Sequence, residues 1–265
     1  MPKKLTDFSL DLFSLKGKTA MITGANQGLG MAYAIAFAIA GADIFIPHFT
    51  DDVSEIKGTI EGLGRKVAFL QGDLTDGDYR KKVVEACVGV FGKIDILVNN
   101  AGTNFAAPML DFPNEKWKQV LDLQLNAVYY LSREVAPVMV KNGGGKIINI
   151  ASALSFAADI NATAYTIAKH GVVGATRSFA TELGGYNIQC NAIAPGFFES
   201  EMNEMIRREN PGLAQKVSDR IPGSGGRWGD VSALMGPALF LASAASDYVN
   251  GDVLVVDGGF KAAMA

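Results

Sequence analysis

The chain has 265 residues, 49% of them hydrophobic and 19% charged, with a formal net charge of −3. A chain of this size buries roughly 70–75% of the surface its unfolded form exposes, so there is ample apolar material for a packed core. The pI near 5.5 excludes an overall polyphosphate-binding surface, because nucleic-acid binders carry a basic footprint, and no nucleic-acid partner is expected.

Cys87 and Cys190 are the only cysteines and sit in apolar runs. They read as reduced thiols in a cytoplasmic protein rather than as a disulfide framework. His48 and His170 are the only histidines and no Cys-x-x-Cys occurs, so no metal is expected. Residues 1–18 interleave Lys3, Lys4, Asp7, Asp11 and Lys16 with Leu and Phe, which is unlike the uninterrupted apolar core of a secretion signal. The Ala-rich uncharged run Gln27 to Ala42 falls short of the roughly 18 residues of a spanning helix, so no membrane partner is expected.

In chain order, the first strand is predicted at Thr19 to Thr23, followed by Gly24-Ala25-Asn26-Gln27-Gly28-Leu29-Gly30 and a helix from Met31. Glycine allows a sharp turn and close approach of a ligand, while a helix N-terminus offers free N–H groups and positive dipole to a pyrophosphate. A dinucleotide is the natural guest at that position, although three glycines by themselves also fit a merely tight turn. The second strand, Asp43 to Phe49, should end beside the adenosine ribose, where a carboxylate favours NAD and a basic side chain NADP. Pro47-His48-Phe49-Thr50-Asp51-Asp52 stands there without Lys or Arg. NAD is therefore expected, with NADP as the alternative through His48. Asp51 and Asp52 read equally well as a helix N-cap.

Further strands are predicted at Lys66 to Gln71, Ile94 to Asn99, Lys146 to Ala151, Ile188 to Ala194 and Val253 to Asp257, with helical patterns between them. Ile94, Ile96, Leu97 and Val98, like Ile147, Ile148 and Ile150, make nearly continuous apolar runs, as strands covered on both faces must. The alternation predicts an α/β fold: one doubly wound, mostly parallel sheet of seven strands with helices on both faces, in a single domain over residues 1–265. Residues 195–229 mix Pro, Gly, Met and charged residues and read as a helical insertion or flap after the sixth strand.

Tyr165-Thr166-Ile167-Ala168-Lys169 places a phenol and an ammonium at i and i+4 on one helix face. A phenol with a pKa of about 10 is a poor base at neutral pH, and an adjacent cation favours its ionised form. Ser152 lies just beyond the fifth strand, at the sheet edge that carries the glycine turn; as a lone residue it also fits a turn cap. A hydroxyl donor at a carbonyl oxygen, a phenol that exchanges the proton and a nicotinamide held nearby suffice for reversible alcohol–ketone hydride transfer.

Together, Thr23-Gly24-x-x-x-Gly28-x-Gly30, Asn99-Asn100-Ala101-Gly102, Ser152, Tyr165-x-x-x-Lys169 and Pro195-Gly196 resemble the short-chain dehydrogenase/reductase family in order and spacing, from about Leu15 to Gly259. The resemblance implies a Rossmann fold, a nicotinamide cofactor and a catalytic tetrad of Asn126, Ser152, Tyr165 and Lys169. In it Tyr165 is the acid/base, Lys169 lowers the tyrosine pKa and holds the nicotinamide ribose, and Ser152 polarises the carbonyl. Asn126, in Leu125-Asn126-Ala127, rests on the resemblance alone and would position a water of the proton relay. The implied cofactor contacts are Gly24, Asn26, Gln27, Gly28, Leu29 and Gly30 in the turn, Phe49 at the ribose, and Asp73 with Leu74 at the adenine. Asn100, Ala101 and Gly102 with Asn99, the pair Tyr165 and Lys169, and Pro195 with Gly196 complete the cleft. Asn99 also reads as a stabiliser of the central strand, and Asp73 as a helix cap.

Gly145 to Ser152, Asn187 to Asn191, Arg227-Trp228-Gly229 and Ala245 to Gly251 further resemble gluconate 5-dehydrogenases and 2-dehydro-3-deoxy-D-gluconate 5-dehydrogenases, which act at C5 of a sugar acid. Those relatives commonly carry an Arg pair soon after Asn-Asn-Ala-Gly, where this chain has Thr103-Asn104-Phe105-Ala106. A charge-assisted partner for a carboxylate is missing there, which keeps a neutral polyol, ketose or small ketone as an alternative. If Phe197, Phe198, Met202 and Met205 form an apolar pocket, the alternative is a 3-oxoacyl reductase or broad carbonyl reductase; the plainer reading is packing of the flap onto the body. A non-catalytic dinucleotide-binding protein is disfavoured by the intact tetrad. A serine hydrolase is disfavoured by the lack of Gly-x-Ser-x-Gly and by His170, about 100° around the helix from Tyr165. Leu234 to Ala244 and Val253 to Gly259 resemble segments used in tetramer contacts, so a homotetramer is expected.

Overall fold

The computed structural model describes Thr6 and residues 8–50 and 52–263. Lys3, Lys4, Asp7 and Asp51, singled out above, lie outside the described residues. The strands are β1 (Thr19–Ile22), β2 (Asp43–His48), β3 (Val67–Gln71), β4 (Ile96–Asn99), β5 (Gly145–Ile150), β6 (Ile188–Pro195) and β7 (Val253–Val256). They form one seven-stranded sheet in the order β3-β2-β1-β4-β5-β6-β7, parallel at every pairing. Strand order reverses between β1 and β4, and the crevice beyond the C-terminal ends of those two strands is where open α/β sheets bind ligands. β4 begins two residues later than its apolar run; just before it, Asp95 takes the Thr19 N–H on its carboxylate (2.8 Å) and gives its own N–H to Thr19 O (2.9 Å).

Alternation of side chains across the pleat divides each strand between two cores. Ala20, Ile22, Ile44, Ile46, Ile96, Val98, Ile148 and Ile150 enter one core, shared with α1 (Gly28–Ile39) and later with α9 (Met235–Ala242). Met21, Phe45, Leu97 and Ile147 enter the other, beneath α3 (Gly77–Phe91) and α5 (Ala127–Lys141). Both faces are therefore apolar, the reason the strands read as continuous hydrophobic runs. The remaining helices are α2 (Ser54–Gly62), α4 (Asn114–Leu121), α6 (Thr163–Leu183), α7 (Glu201–Glu209) and α8 (Pro211–Asp219). One π-helical turn, Asp122–Asn126, joins α4 to α5.

The central strands carry a buried polar ladder. Asn99 Nδ2 donates to Asn149 Oδ1 (2.8 Å) and Ser132 Oγ (3.0 Å), and Asn149 Nδ2 donates to Thr176 Oγ1 (3.0 Å). These bonds fit the structural reading of Asn99. Cys87 and Cys190 are free and buried, with burial pushing the Cys87 thiol up to about 12. Among the described residues no helix is long and apolar enough to cross a membrane.

Between β6 and α9 the chain forms α7 and α8. Phe198 is buried in the α1/α9 core, whereas Phe197 packs edge-on against Trp228 and Phe260 at 5.2 and 5.1 Å between ring centroids. The flap phenylalanines therefore pack onto the body, as the plainer reading had it. The side chains of Met202 and Met205 lie outside the described residues.

Candidate active site

The helix after β1 starts at Gly28 rather than Met31, so the last two glycines of the turn fall in its first turn. Gly24 and Gly28 take φ of 64° and 57°, the left-handed region that costs other residues about 1–2 kcal/mol. At Gly30 a Cβ would stand 2.5 Å from Asn100 Nδ2, 2.7 Å from Gly24 O and 2.8 Å from Ala25 Cα. Glycine there lets the turn close on itself. The N-cap of α1, Gln27, makes no side-chain cap bond, and a cleft of about 330 Å³ opens beside the start of the helix, lined by Gly28, Met31 and Ala32 together with Glu199 and Ser200. Such a helix end matches a pyrophosphate in charge and hydrogen bonding.

Asn-Asn-Ala-Gly, at the end of β4, holds that turn in place. Thr23 Oγ1 accepts from the N–H of Asn100 (3.0 Å) and Ala101 (2.9 Å), while Asn100 Nδ2 donates to Thr23 O (2.9 Å) and Gly24 O (3.2 Å). On the β2 side, Asn26 Nδ2 donates to Thr50 Oγ1 (2.6 Å) and Asp52 O (3.3 Å). Phe49 is exposed at the strand end. His48 Nδ1 donates to Thr50 O (2.7 Å), because a carbonyl can only accept; this fixes the proton on that nitrogen in the neutral ring. Asp52 takes both the N–H and the hydroxyl of Ser54, and these two bonds hold its carboxyl below the ordinary range. It caps α2. Asp73 accepts from Thr75 N–H (2.8 Å) at the exposed end of β3, and Leu74 is buried in the core beneath α3. Pro195 ends β6, and Gly196 N–H donates to Val256 O (2.9 Å).

Ser152 is the N-cap of a single 3₁₀ turn, Ala153–Ser155, closed by a reciprocal bond between Ser152 and Ser155. Tyr165 lies in the first turn of α6, and its side chain is hydrogen-bonded by Ser152. Lys169 is buried, donates to Ile150 O (2.6 Å) and holds its ammonium 5.5 Å from the centre of the Tyr165 ring. Ser155 Oγ in turn donates to Lys169 O (2.8 Å), which pins α6 to the turn that Ser152 begins.

The electrostatics differ from the simple expectation for this pair. Burial pushes the Tyr165 phenol up, with the Ser152 hydrogen bond working against it. Burial also brings Lys169 down to about 7. The ammonium is spent on the Ile150 carbonyl and lies over the ring, so in this state burial outweighs any lowering of the phenol by the cation.

Ser152, Tyr165 and Lys169 are thus brought together, but Asn126 is not. It is exposed, and its Nδ2 donates to Asp122 Oδ1 (2.8 Å). Two positions along a helix turn a side chain through about 200°, so Asn126 faces away from whatever Gln124 faces. Gln124 is the inward amide: it is buried, Nε2 donates to Thr103 O (2.6 Å), and Oε1 is buried without a hydrogen-bond partner. A Cβ on Gly102 would lie 2.8 Å from that oxygen, and Leu125 fills the space a Cβ on Gly171 of α6 would take. The signal that finds Gln124 is periodicity, for Val120, Gln124, Val128 and Leu131 lie on one buried stripe. His170 is exposed, with Nδ1 bonded to Thr166 O (2.9 Å), away from Ser152.

Comparison with known proteins bears on this site. A family model described as enoyl-(acyl carrier protein) reductase matches residues 24–261. The chain is 48% identical over 258 residues to an uncharacterized oxidoreductase of Escherichia coli, covering 97% of this chain and 98% of that protein. It is 43% identical over 254 residues to a 2-dehydro-3-deoxy-D-gluconate 5-dehydrogenase of Dickeya dadantii, covering 96% and 99%. The solved structure of a gluconate 5-dehydrogenase from Burkholderia cenocepacia, in complex with NADP and tartrate, is 36% identical with a TM-score of 0.89, covering 97% of this chain and 100% of that one.

Proposed function

Since the chain belongs to the short-chain dehydrogenase/reductase family, we propose that it is an NAD(P)-dependent oxidoreductase interconverting a secondary alcohol and a ketone on a sugar acid of the gluconate or 2-dehydro-3-deoxygluconate class. The observation that carries this reading is the Ser152–Tyr165–Lys169 arrangement at the same sheet edge as an uncapped, glycine-built helix N-terminus. Ser152 donates to the carbonyl oxygen of the bound ketone. Tyr165 gives its proton to that oxygen in reduction and takes it from the alcohol in oxidation. Lys169, held near its titration point by burial, exchanges a proton with solvent or with the phenol. Gln124, rather than Asn126, is the amide that positions this relay. The nicotinamide, when bound, supplies or takes up the hydride.

The first turn of α1 with Gly24, Gly28 and Gly30 holds the pyrophosphate. Asn26, Gln27 and Phe49 meet the adenosine ribose, Asp73 and Leu74 the adenine, and Asn100 to Gly102 with Pro195 and Gly196 the nicotinamide half. NAD is the favoured dinucleotide because residues 24–30 and 47–52 hold no Lys or Arg; the NADP in the Burkholderia relative makes NADP the second choice. Residues 195–229 serve as the substrate flap of a single domain. A homotetramer is supported by β7, an apolar edge strand left half-buried along its length, which isolated proteins normally cover; its mass in solution at micromolar concentration tests this. Two free buried thiols suit the cytoplasm.

The test is a spectrophotometric screen of NADH and NADPH oxidation against keto sugar acids, ketoses, diketones and oxoacyl thioesters. Keto sugar acids with NADH should give the highest kcat/KM. Turnover confined to thioesters would end the sugar-acid reading and install the 3-oxoacyl reductase. A neutral ketose is the second reading, favoured by half-buried Phe105 packed edge-on to Phe112 (5.7 Å) where the related enzymes commonly carry basic residues.

A further inference from the structure

A sugar acid presents one full negative charge, and the loop after β4 that would be expected to receive it holds Thr103-Asn104-Phe105-Ala106. Cations instead lie over aromatic rings of the flap, the C-terminal segment and the turn begun by Ser152. Phe260 and Trp228 share a buried apolar cluster with Ala153, the residue next to Ser152, and Phe197 packs against it. Two cationic heads lie over rings of this cluster and a third over the neighbouring Phe156. Arg207 stands 5.8 Å from the Trp228 ring, Arg220 4.4 Å from Phe260, and Lys261 3.8 Å from Phe156, the residue that closes the 3₁₀ turn begun by Ser152.

Arg207 is already paired with Glu199 (2.8 Å). Among the described residues, neither Arg220 nor Lys261 has a carboxylate partner. Asp257, the nearest acid along the chain, turns its two oxygens onto the backbone N–H groups of Gly259 and Lys261, not onto the ammonium. Aromatic faces hold such cations in place while leaving their N–H donors free. We propose that Lys261, assisted by Arg220, forms the subsite for the carboxylate of the substrate, replacing the basic pair that the loop after β4 lacks. This rests on the sugar-acid reading above and deepens it. The subsite couples the flap to the chemistry, because Arg220 follows α8 and lies over Phe260, while Lys261, next to Phe260, lies over Phe156 at the end of the turn that Ser152 begins.

The experiment is steady-state reduction of 5-keto-D-gluconate and of its uncharged methyl ester by the full chain with NADH. It compares the wild type with Lys261→Met, Arg220→Gln, Lys261→Arg and, from the other side of the cleft, Lys116→Gln. Losing one charge-assisted contact of ordinary strength should raise KM for the acid about tenfold in Lys261→Met, and by a smaller factor in Arg220→Gln. The kcat and the constants for the ester should stay within about twofold, as expected of changes at exposed positions. Lys261→Arg should restore the acid KM. Variants that leave the acid KM unchanged, or that raise acid and ester alike, overturn the subsite. So does a loss seen only in Lys116→Gln, whose ammonium lies 5.5 Å from the Phe105 ring. A wild type indifferent to the charge overturns the sugar-acid reading itself, so the two failures are told apart.

Discussion

Tyr165 is hydrogen-bonded by Ser152 and stands one helical turn from a lysine whose ammonium lies over its ring. Removing only its hydroxyl, in Tyr165→Phe, leaves the ring packing intact while deleting the proton donor. The expected fall in kcat is about 10²–10⁴-fold, the range for a positioned acid/base, with NADH affinity retained in a fluorescence titration; a variant of undiminished turnover would remove Tyr165 from the mechanism. These three side chains were legible because the i, i+4 spacing in α6 and a serine past a strand end translate directly into positions. Asn126 was not, because it entered from resemblance rather than from periodicity. The inward stripe through Val120, Gln124, Val128 and Leu131 runs through the π turn and passes Asn126 by. Asn126→Ala is therefore expected to change kcat by less than about twofold, as at other exposed positions. Gln124→Ala, which strips Thr103 O of its donor, should cost about 1–3 kcal/mol of stability and lower kcat besides, both read by urea unfolding and initial rates. Equal effects at the two positions would contradict this assignment.

The glycine turn sets the placement of everything at this edge of the sheet. Its geometry explains why glycine is needed at two positions for different reasons. At Gly28 nothing lies within 4 Å of a built Cβ, and the requirement is the φ of 57° alone. At Gly30 the obstacle is backbone, Gly24 O and Ala25 Cα among it, which cannot swing aside. Gly30→Ala should destabilise by about 1–3 kcal/mol, the usual cost of overpacking, and weaken dinucleotide binding by spreading the turn away from Asn100. Calorimetric titration with NADH checks it, and an unchanged affinity would show that the turn does not hold the cofactor. All seven strands lie where alternation and apolar runs placed them, since burial on both faces writes itself into composition. Residues 195–229 were legible only as an interruption, because the two helices there, α7 and α8, are short. The stop between α7 and α8 is readable: Asn210 caps α8 by accepting from Leu213 N–H (3.1 Å), with Pro211 at its first position. What no local pattern contains is that Phe197 and Phe260, far apart in sequence, meet at a centroid distance of 5.1 Å.

For the whole molecule, the buried lysine makes stability depend on pH in a direction opposite to that of an ion-paired lysine. In the folded chain Lys169 titrates at about 7, against 10.5 as an ordinary lysine. Between those values the unfolded chain binds a proton that the folded chain does not, so stability rises with pH through this window. One proton sets the limit at about 1.4 kcal/mol per pH unit. Below pH 7 both states carry the charge and the folded one bears the cost of burying it. The Cys87 thiol, raised from 9.0 to about 12 by burial, acts with the opposite sign: above pH 9 the unfolded chain gives up a proton that the folded one keeps, and stability falls. The raised Tyr165 phenol adds to that descent. Cys190, raised by burial like Cys87, adds a second proton to that descent, so the two thiols together outweigh Lys169 above pH 9, and the ligand-free protein is expected to gain stability from about pH 7 to 9 and to lose it beyond. Lys169→Met, which keeps the bulk of the side chain without its charge, should flatten the rising limb while leaving the falling one. Urea midpoints at constant ionic strength between pH 6 and 10 would show this, and parallel profiles for the two proteins would mean that Lys169 is not the group that couples protons to folding.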